Sequence, residues 1–318
     1  MNILITGGAG FIGSNLAEFY QSKNHKVIII DNLSSGNIEN ISFLPKNNFI
    51  EADIQDNNTL EKLFDEYNFD IIFHLAAVVS VVETIEDPFK SQKVNIESTL
   101  NLLKIIKEKN KGLKRFIFAS SAAVYGNVEG LPKNMDSLIS PESPYAIEKF
   151  AGEQYSKLFN KLYGVPTTGF RFFNVYGPKQ NPNSTYSGVI SIMQNCFENN
   201  KTFTFYGDGT QTRDFVYIKD LISAIDCAIN NEITIGKTYN LGTGVETSLN
   251  KIFSEFEKIY NKKINVEYKE FRKGDIKNSV SDITPLIEQG YKPQFGISEG
   301  LESYVNFSNN NIKEKCYE

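Results

Sequence analysis

Four glycines in seven residues, Gly7-Gly8-Ala9-Gly10-Phe11-Ile12-Gly13, follow directly on the strand-like run Asn2–Thr6 and open an amphipathic stretch, Phe11–Ser22. A strand that turns at once into a helix over several glycines begins a parallel β–α–β unit, because the glycines allow a turn too tight for side chains. The chain is therefore expected to build an α/β fold around a parallel sheet.

The residues that follow extend this pattern. Strands are expected at Lys26–Ile30, Asn48–Glu51, Asp70–Leu75, Arg115–Ala119 and Thr167–Phe172, and helices at about 58–67, 90–109 and Pro144–Tyr163. Continuous apolar strands separated by helices are buried on both faces, which predicts a doubly wound parallel sheet. After Gly177-Pro178 the character changes to a loop rich in Asn, Pro and Ser over Lys179–Gly188. Shorter elements follow, at Thr202–Tyr206, Lys219–Asn230, Thr238–Leu241 and Ser248–Tyr260. This predicts a larger domain over 1–177 to which 213–243 returns, and a smaller C-terminal α/β domain from 178–212 and 244–318. The polar tail Ser308–Glu318 reads as frayed.

The glycine turn carries chemistry as well as geometry. Gly8, Gly10 and Gly13 fit G-x-G-x-x-G, while Gly7, Gly10 and Gly13 fit G-x-x-G-x-x-G. Either spacing brings backbone N–H groups close to a pyrophosphate at a helix N-terminus. Phe11 and Ile12 lie in that first turn. Asp31, at the end of the next strand and followed by Asn32, is placed to accept hydrogen bonds from ribose hydroxyls, and its charge repels a 2′-phosphate. NAD rather than NADP is the expected cofactor. Asp53 and Ile54 should border the adenine, and Leu75-Ala76-Ala77 should let backbone pass close to the dinucleotide. His74 reads as a core histidine.

Tyr145 and Lys149 stand one helical turn apart and so share a face. An ammonium beside a phenol lowers its pKa from about 10 and favours the basic phenolate. Ser121, in Ser120-Ser121-Ala122-Ala123-Val124-Tyr125-Gly126, ends the fifth expected strand where a cofactor would lie, and its hydroxyl would bridge a substrate hydroxyl to Tyr145.

Taken together, TGGAGFIG, Asp31, HLAA, Asn95, SSAAVYG, YAIEK, RFFNVYGP, YGDGTQTRDFVYIKDL and RKGDI resemble an extended short-chain dehydrogenase/reductase of the nucleotide-sugar epimerase/dehydratase branch. The resemblance spans nearly the whole length. It implies a Rossmann domain and a nucleotide-sugar domain, with Tyr145 as catalytic base, Lys149 on the nicotinamide ribose and Ser121 completing the triad. It also implies that Asn95 supports this site. In the second domain it implies Asn174, Arg213 and Arg272 on a diphosphate, Asp275 on the nucleotide ribose, and Val189 and Tyr206 framing a uracil. Homodimerisation through the helices at 90–109 and 144–163 is a further implication.

The segment after Ser121 separates the reactions. Related dehydratases place an acid there to eliminate water, whereas this chain has Ala122-Ala123, which leaves reversible oxidation and hence 4-epimerisation. Ser279, small where relatives line the sugar pocket, leaves room for a 2-acetamido group, so UDP-GlcNAc and UDP-GalNAc are the expected substrates, with UDP-Glc and UDP-Gal beside them. An epimerase confined to UDP-Glc/UDP-Gal or acting on UDP-glucuronic acid is the enzymatic alternative, and an NAD-sensing binding protein the non-enzymatic one.

Bulk properties exclude other classes. A net charge of −5 argues against general nucleic-acid or anionic-membrane binding. His25 and His74 are the only histidines and Cys196, Cys227 and Cys316 are dispersed, so neither a metal centre nor a disulfide framework is expected. No apolar run reaches the ~20 residues of a membrane span, and a cytoplasmic protein is expected.

Overall fold

A computed structural model describes residues 1–181, 188–271 and 276–315, with side chains described as far as Ser308. The first half alternates strand and helix: β1 (Asn2–Thr6), α1 (Phe11–Ser22), β2 (Lys26–Asp31), β3 (Phe49–Glu51), α2 (Asn57–Glu66) and β4 (Ile71–His74). Two short helices follow, α3 (Val81–Glu86) and α4 (Pro88–Gln92), then a π-helical turn at Lys93–Glu97 and α5 (Ser98–Lys109). β5 (Arg115–Ser121), α6 (Pro144–Tyr163) and β6 (Thr167–Phe172) complete this half.

Local sequence explains the sharpest boundaries. Ser143 caps α6 by accepting the Ala146 N–H at 3.2 Å, Pro144 occupies the first turn, and Gly164 ends the helix at φ +71. Asp56 caps α2 in the same manner through Asn58 and Thr59.

The second half contributes β7 (Asn174–Tyr176), α7 (Val189–Glu198), β8 (Phe203–Tyr206), β9 (Thr212–Tyr217), α8 (Ile218–Ile229) and β10 (Lys237–Leu241). It ends with β11 (Glu246–Ser248), α9 (Leu249–Tyr260), β12 (Val266–Lys269), α10 (Thr284–Ile287) and α11 (Ile297–Lys315). The principal sheet has seven strands in the order β10-β6-β5-β4-β1-β2-β3, and every pairing in it is parallel. Its strand order reverses between β1 and β4, and ligands of such sheets bind beyond the carboxyl ends of the strands at that reversal. β11, β9 and β7 form a second sheet, and β12 pairs with β8.

Alternation along the strands sorts the core into two layers. Ile3, Ile5, Ile29 and Phe73 pack with Leu16 and Tyr20 of α1 and Leu221 and Ile225 of α8. Leu4, Ile28 and Ile72 pack with Leu60 of α2, Leu102 of α5 and Phe159 of α6. The fully buried Arg115 guanidinium donates to the carbonyls of Ala228, Ile229 and Asn231, tying the end of α8 to the sheet. Among the described residues no helix is long and apolar enough to cross a membrane.

Three sequence expectations need correction. The stretch 90–109 is not one regular helix, because the π-helical turn divides it. Of the unit at 213–242, α8 and β10 join the principal sheet, but β9 remains in the three-stranded sheet. Of the terminal stretch expected to fray, the part up to Lys315 continues the backbone of α11, and residues 316–318 lie outside the described residues.

Candidate active site

A cleft of about 1330 Å³ opens at the carboxyl end of the principal sheet, larger than the roughly 300–1,000 Å³ of sites for drug-sized ligands. Its walls include Gly7, Gly10, Phe11, Ile12 and Gly13 from the first turn, Asp31 and Asn32 after β2, and Asp53 and Ile54 after β3. Leu75, Ala76 and Ala77 line it after β4, as do Ser121, Tyr145 and Lys149. These expected cofactor and catalytic residues, distant in sequence, therefore meet in one place.

The glycine turn fits a dinucleotide on its own geometry. Gly7 has φ +70, and a Cβ there would stand 2.7 Å from the Ala76 nitrogen. A Cβ on Gly13 would stand 2.4 Å from the Gly7 carbonyl oxygen. Gly10 caps α1 without a side chain, so no side-chain acceptor covers the first-turn N–H groups of Phe11, Ile12 and Gly13. These groups lack helical partners and attract an anion. Asp31 braces the turn by accepting the N–H groups of Ala9 at 2.9 Å and Leu33 at 2.8 Å, while burial pushes its carboxyl up against those bonds. Asp53 accepts the Asn32 amide at 2.8 Å, which fixes both at the cleft rim.

At the other end, the Ser121 hydroxyl hydrogen-bonds the Tyr145 phenol and accepts the Ala123 N–H at 3.2 Å. Lys149 places its ammonium 5.8 Å from the centre of the Tyr145 ring. The expectation that Lys149 lowers the tyrosine pKa is not met in this arrangement. Burial pushes the Tyr145 phenol up, opposed by the Ser121 hydrogen bond and reinforced by the negative charge of Glu148. Burial likewise holds Lys149 down, to about 8. For both groups desolvation by the surrounding protein is the largest influence.

His74 is a core residue, as expected: its ring nitrogens meet the hydroxyls of Thr6 and Thr99, both at 2.8 Å, and burial drops its pKa to about 3. Asn95 is buried at the π-helical turn and bonds Val78 rather than facing solvent.

Among the described residues expected to hold the nucleotide end, Asn174, Val189, Tyr206, Arg213 and Ser279 stand outside the walls of this cleft. Asn174 donates to the Asp214 carbonyl at 3.2 Å, and Val189 begins α7. Tyr206 ends β8, its carbonyl accepting from Gln211 at 2.8 Å. The Arg213 guanidinium donates to the carbonyl of Thr212 at 2.8 Å and of Lys277 at 3.3 Å. Ser279 lies beside it, its N–H donating to Thr212 O at 3.2 Å. Arg272 and Asp275 lie outside the described residues.

Sequence reasoning missed one buried assembly behind the site. Glu153 of α6 receives Arg171 of β6 at 2.8 Å and the Ser120 hydroxyl at 3.0 Å, and Arg171 also donates to the Tyr125 hydroxyl at 2.8 Å. Its sequence signal is a single arginine, Arg171, in the otherwise uncharged strand β6.

A glycine turn, an acidic residue ending β2 and a Ser–Tyr–Lys cluster over a parallel sheet define a dinucleotide-dependent enzyme of the short-chain dehydrogenase/reductase type. Residues 3–242 match the NAD dependent epimerase/dehydratase family. The chain belongs to that family, and NAD is its cofactor. It is 34% identical over 315 residues to the UDP-glucose 4-epimerase of Mycolicibacterium smegmatis, covering 98% of this chain and 99% of that protein. Among solved structures it is similar to UDP-glucose 4-epimerase with UDP-glucose from Thermotoga maritima, with TM-score 0.90 and 35% identity over 98% of this chain and 100% of that one. It is equally similar to UDP-N-acetylglucosamine 4-epimerase of Methanobrevibacter ruminantium in complex with UDP-N-acetylmuramic acid, with TM-score 0.90 and 35% identity over 98% of each chain.

Proposed function

We propose that this enzyme is a UDP-hexose 4-epimerase that interconverts UDP-GlcNAc and UDP-GalNAc, and UDP-Glc and UDP-Gal beside them. The observation that carries the reading is the end of β5, where Ser121 meets Tyr145 and is followed by Ala122 and Ala123 instead of an acid. Among the described residues, the carboxylates lining the cleft are Asp31 and Asp53 beside the glycine turn, and Glu83, which pairs with Lys90 at 3.4 Å. None is placed beside Ser121 in the sequence to eliminate water.

NAD, when bound, would supply reversible hydride exchange with the sugar C4, taking the hydride and giving it back to the opposite face, and a positive charge that favours the Tyr145 phenolate. Tyr145 takes the C4 hydroxyl proton as that carbon becomes a ketone, and Ser121 holds the oxygen by hydrogen bond. Lys149 holds the nicotinamide ribose. The 4-keto sugar turns about its bond to the diphosphate, and Tyr145 returns the proton to the inverted alcohol.

Under this reading residues 1–177 with 213–243 hold NAD, and 178–212 with 244–318 grip the UDP. Asn174, Arg213 and Arg272 bind the diphosphate, where guanidinium groups make strong paired bonds. Asp275 takes the ribose, while Val189 and Tyr206 frame the uracil. The small side chain of Ser279, adjacent through backbone to Thr212 and Arg213, supports acceptance of a 2-acetamido group.

The protein acts as a homodimer. Exposed apolar side chains on α6 (Ile147, Leu158 and Leu162) support the reading that the helices at 90–109 and 144–163 pair across a two-fold axis. Free thiols at Cys196 and Cys227 fit a reducing, cytoplasmic setting.

Turnover of purified enzyme with UDP-GlcNAc, UDP-Glc and UDP-glucuronic acid tests the assignment. Tyr145→Phe should abolish turnover, and Ser279→Tyr should suppress the N-acetyl pair selectively. No turnover of UDP-GlcNAc by the wild type would defeat the substrate preference, and conversion of UDP-glucuronic acid alone would establish the alternative.

A further inference from the structure

Glu148 lies between Tyr145 and Lys149 in sequence, yet its carboxylate turns away from solvent and is 3% exposed. It accepts the Ser91 hydroxyl of α4 and the Asn95 amide of the π-helical turn, both at 2.6 Å. Among the described residues it forms no salt bridge, although burying a carboxylate without a cation is costly. Ser91 and Asn95 are themselves buried, at 1% and 4% exposure.

The Asn95 amide is fully used. Its oxygen accepts the Val78 N–H at 2.8 Å, and its two N–H bonds go to the Val78 carbonyl at 3.0 Å and to Glu148. The two ends of this amide are not interchangeable. Rotated by half a turn, its NH2 would face the Val78 N–H and its oxygen would face the carboxylate, so donor would meet donor and acceptor would meet acceptor. Val78 continues the cleft wall from Leu75-Ala76-Ala77. The π-helical turn, which inserts one residue into the helical repeat, brings Asn95 inward while Lys93 and Glu97 stay exposed. A second tether runs alongside, where the Tyr145 N–H donates to the buried Thr84 hydroxyl at 3.3 Å.

We propose that Glu148 is a positioning residue for the cofactor site: its carboxylate locks Asn95 in the one orientation that grips both backbone groups of Val78, and so holds that wall of the cleft to α6. The proposal rests on the reading that this cleft holds NAD beside Tyr145 and Lys149. It has an electrostatic consequence, because the Glu148 charge stabilises the Lys149 ammonium and disfavours the Tyr145 phenolate, raising both pKa values. The other ionisable groups around the pair are accounted for. His74 on β4 is neutral, and Glu153, one turn further along α6, is offset by Arg171 and Lys157. Lys93, Glu97, Glu83, Glu86 and Lys90 on the neighbouring helical segments are solvent-exposed or only partly buried.

The experiment compares wild type, Glu148→Gln, Glu148→Ala, Asn95→Ala and the double alanine variant. NADH affinity is read from reduced-nicotinamide fluorescence, alongside the pH profile of kcat/KM. E148A should weaken NADH binding by about tenfold, and N95A should do the same without adding to it in the double variant, as expected for two members of one network. E148Q, which keeps hydrogen-bonding capacity without the charge, should bind NADH like the wild type and move both limbs of the pH profile to lower pH by about one unit. Wild-type NADH affinity in E148A, additive losses in the double variant, or an unmoved pH profile in E148Q would each overturn the proposal. If E148A does not fold, the E148Q profile decides. A wild type that binds NADH but converts no UDP-sugar would sink the epimerase reading, while the NADH arm still tests Glu148.

Discussion

Lys149 follows Tyr145 by one turn of α6, and its ammonium sits 5.8 Å from the tyrosine ring and 5.6 Å from that of Phe118. The cation thus stands beside two aromatic rings, where burial costs it more than the rings return. Four consequences of the structure can be measured.

Burial holds Lys149 down to about 8, against 10.5 for a free lysine. Between those values the unfolded chain binds a proton that the folded chain has released, so this group's contribution to stability rises as pH climbs from about 8 towards 10.5. Under the proposed role of Lys149 on the nicotinamide ribose, cofactor binding runs the other way, because its ammonium is lost over the same range. NADH affinity should fall as pH rises through about 8, and an affinity that is flat up to pH 10 would contradict this role for Lys149.

Gly13 admits no side chain. A Cβ there meets the Gly7 oxygen at 2.4 Å and the Gly8 Cα at 2.7 Å, both backbone atoms that cannot swing aside. Gly13→Ala should lose about 1–3 kcal/mol of stability and most of its NADH binding. Thermal melting and fluorescence titration read the two effects, and intact affinity would show that the turn yields.

With only two histidines, NMR can follow each imidazole. His74, at about 3, should show no titration between about pH 5 and 8. His25, 3.5 Å from the N-terminal amine and partly desolvated, should titrate below its ordinary value. Because His74 takes up its proton at 6.5 only when unfolded, its contribution to stability should be lost as pH falls from 6.5 towards 3. Two imidazoles titrating together near 6.5 would refute the buried setting.

Arg171→Met would leave the wholly buried Glu153 with Lys157 at 3.0 Å as its remaining cationic partner. Removing one partner of such a pair costs about 3–5 kcal/mol. The urea midpoint should fall accordingly, and a loss below about 1 kcal/mol would mean that Lys157 and solvent replace the guanidinium.

The strands of the principal sheet and most of the helices packed on it were readable because their signals are local. β1, α1, α6 and β6 run between the residues expected, since strand apolarity, the Ser143–Pro144 cap and Gly164 act within a few positions. The π-helical turn was not readable: one inserted residue barely disturbs hydrophobic periodicity, although it decides that Asn95 faces inward. The place of β9 was not readable either, because a short buried strand fits any sheet with a free edge.

The sequence by itself determined the glycine turn, the acidic end of β2 and the spacing of Tyr145 and Lys149, because each depends on backbone geometry over a handful of residues. Only the tertiary structure decided how those groups are tuned. Burial raises Tyr145 and lowers Lys149, and Glu148 turns inward to Ser91 and Asn95 instead of to water. Desolvation depends on what the rest of the chain packs around a group, and no local pattern carries that information.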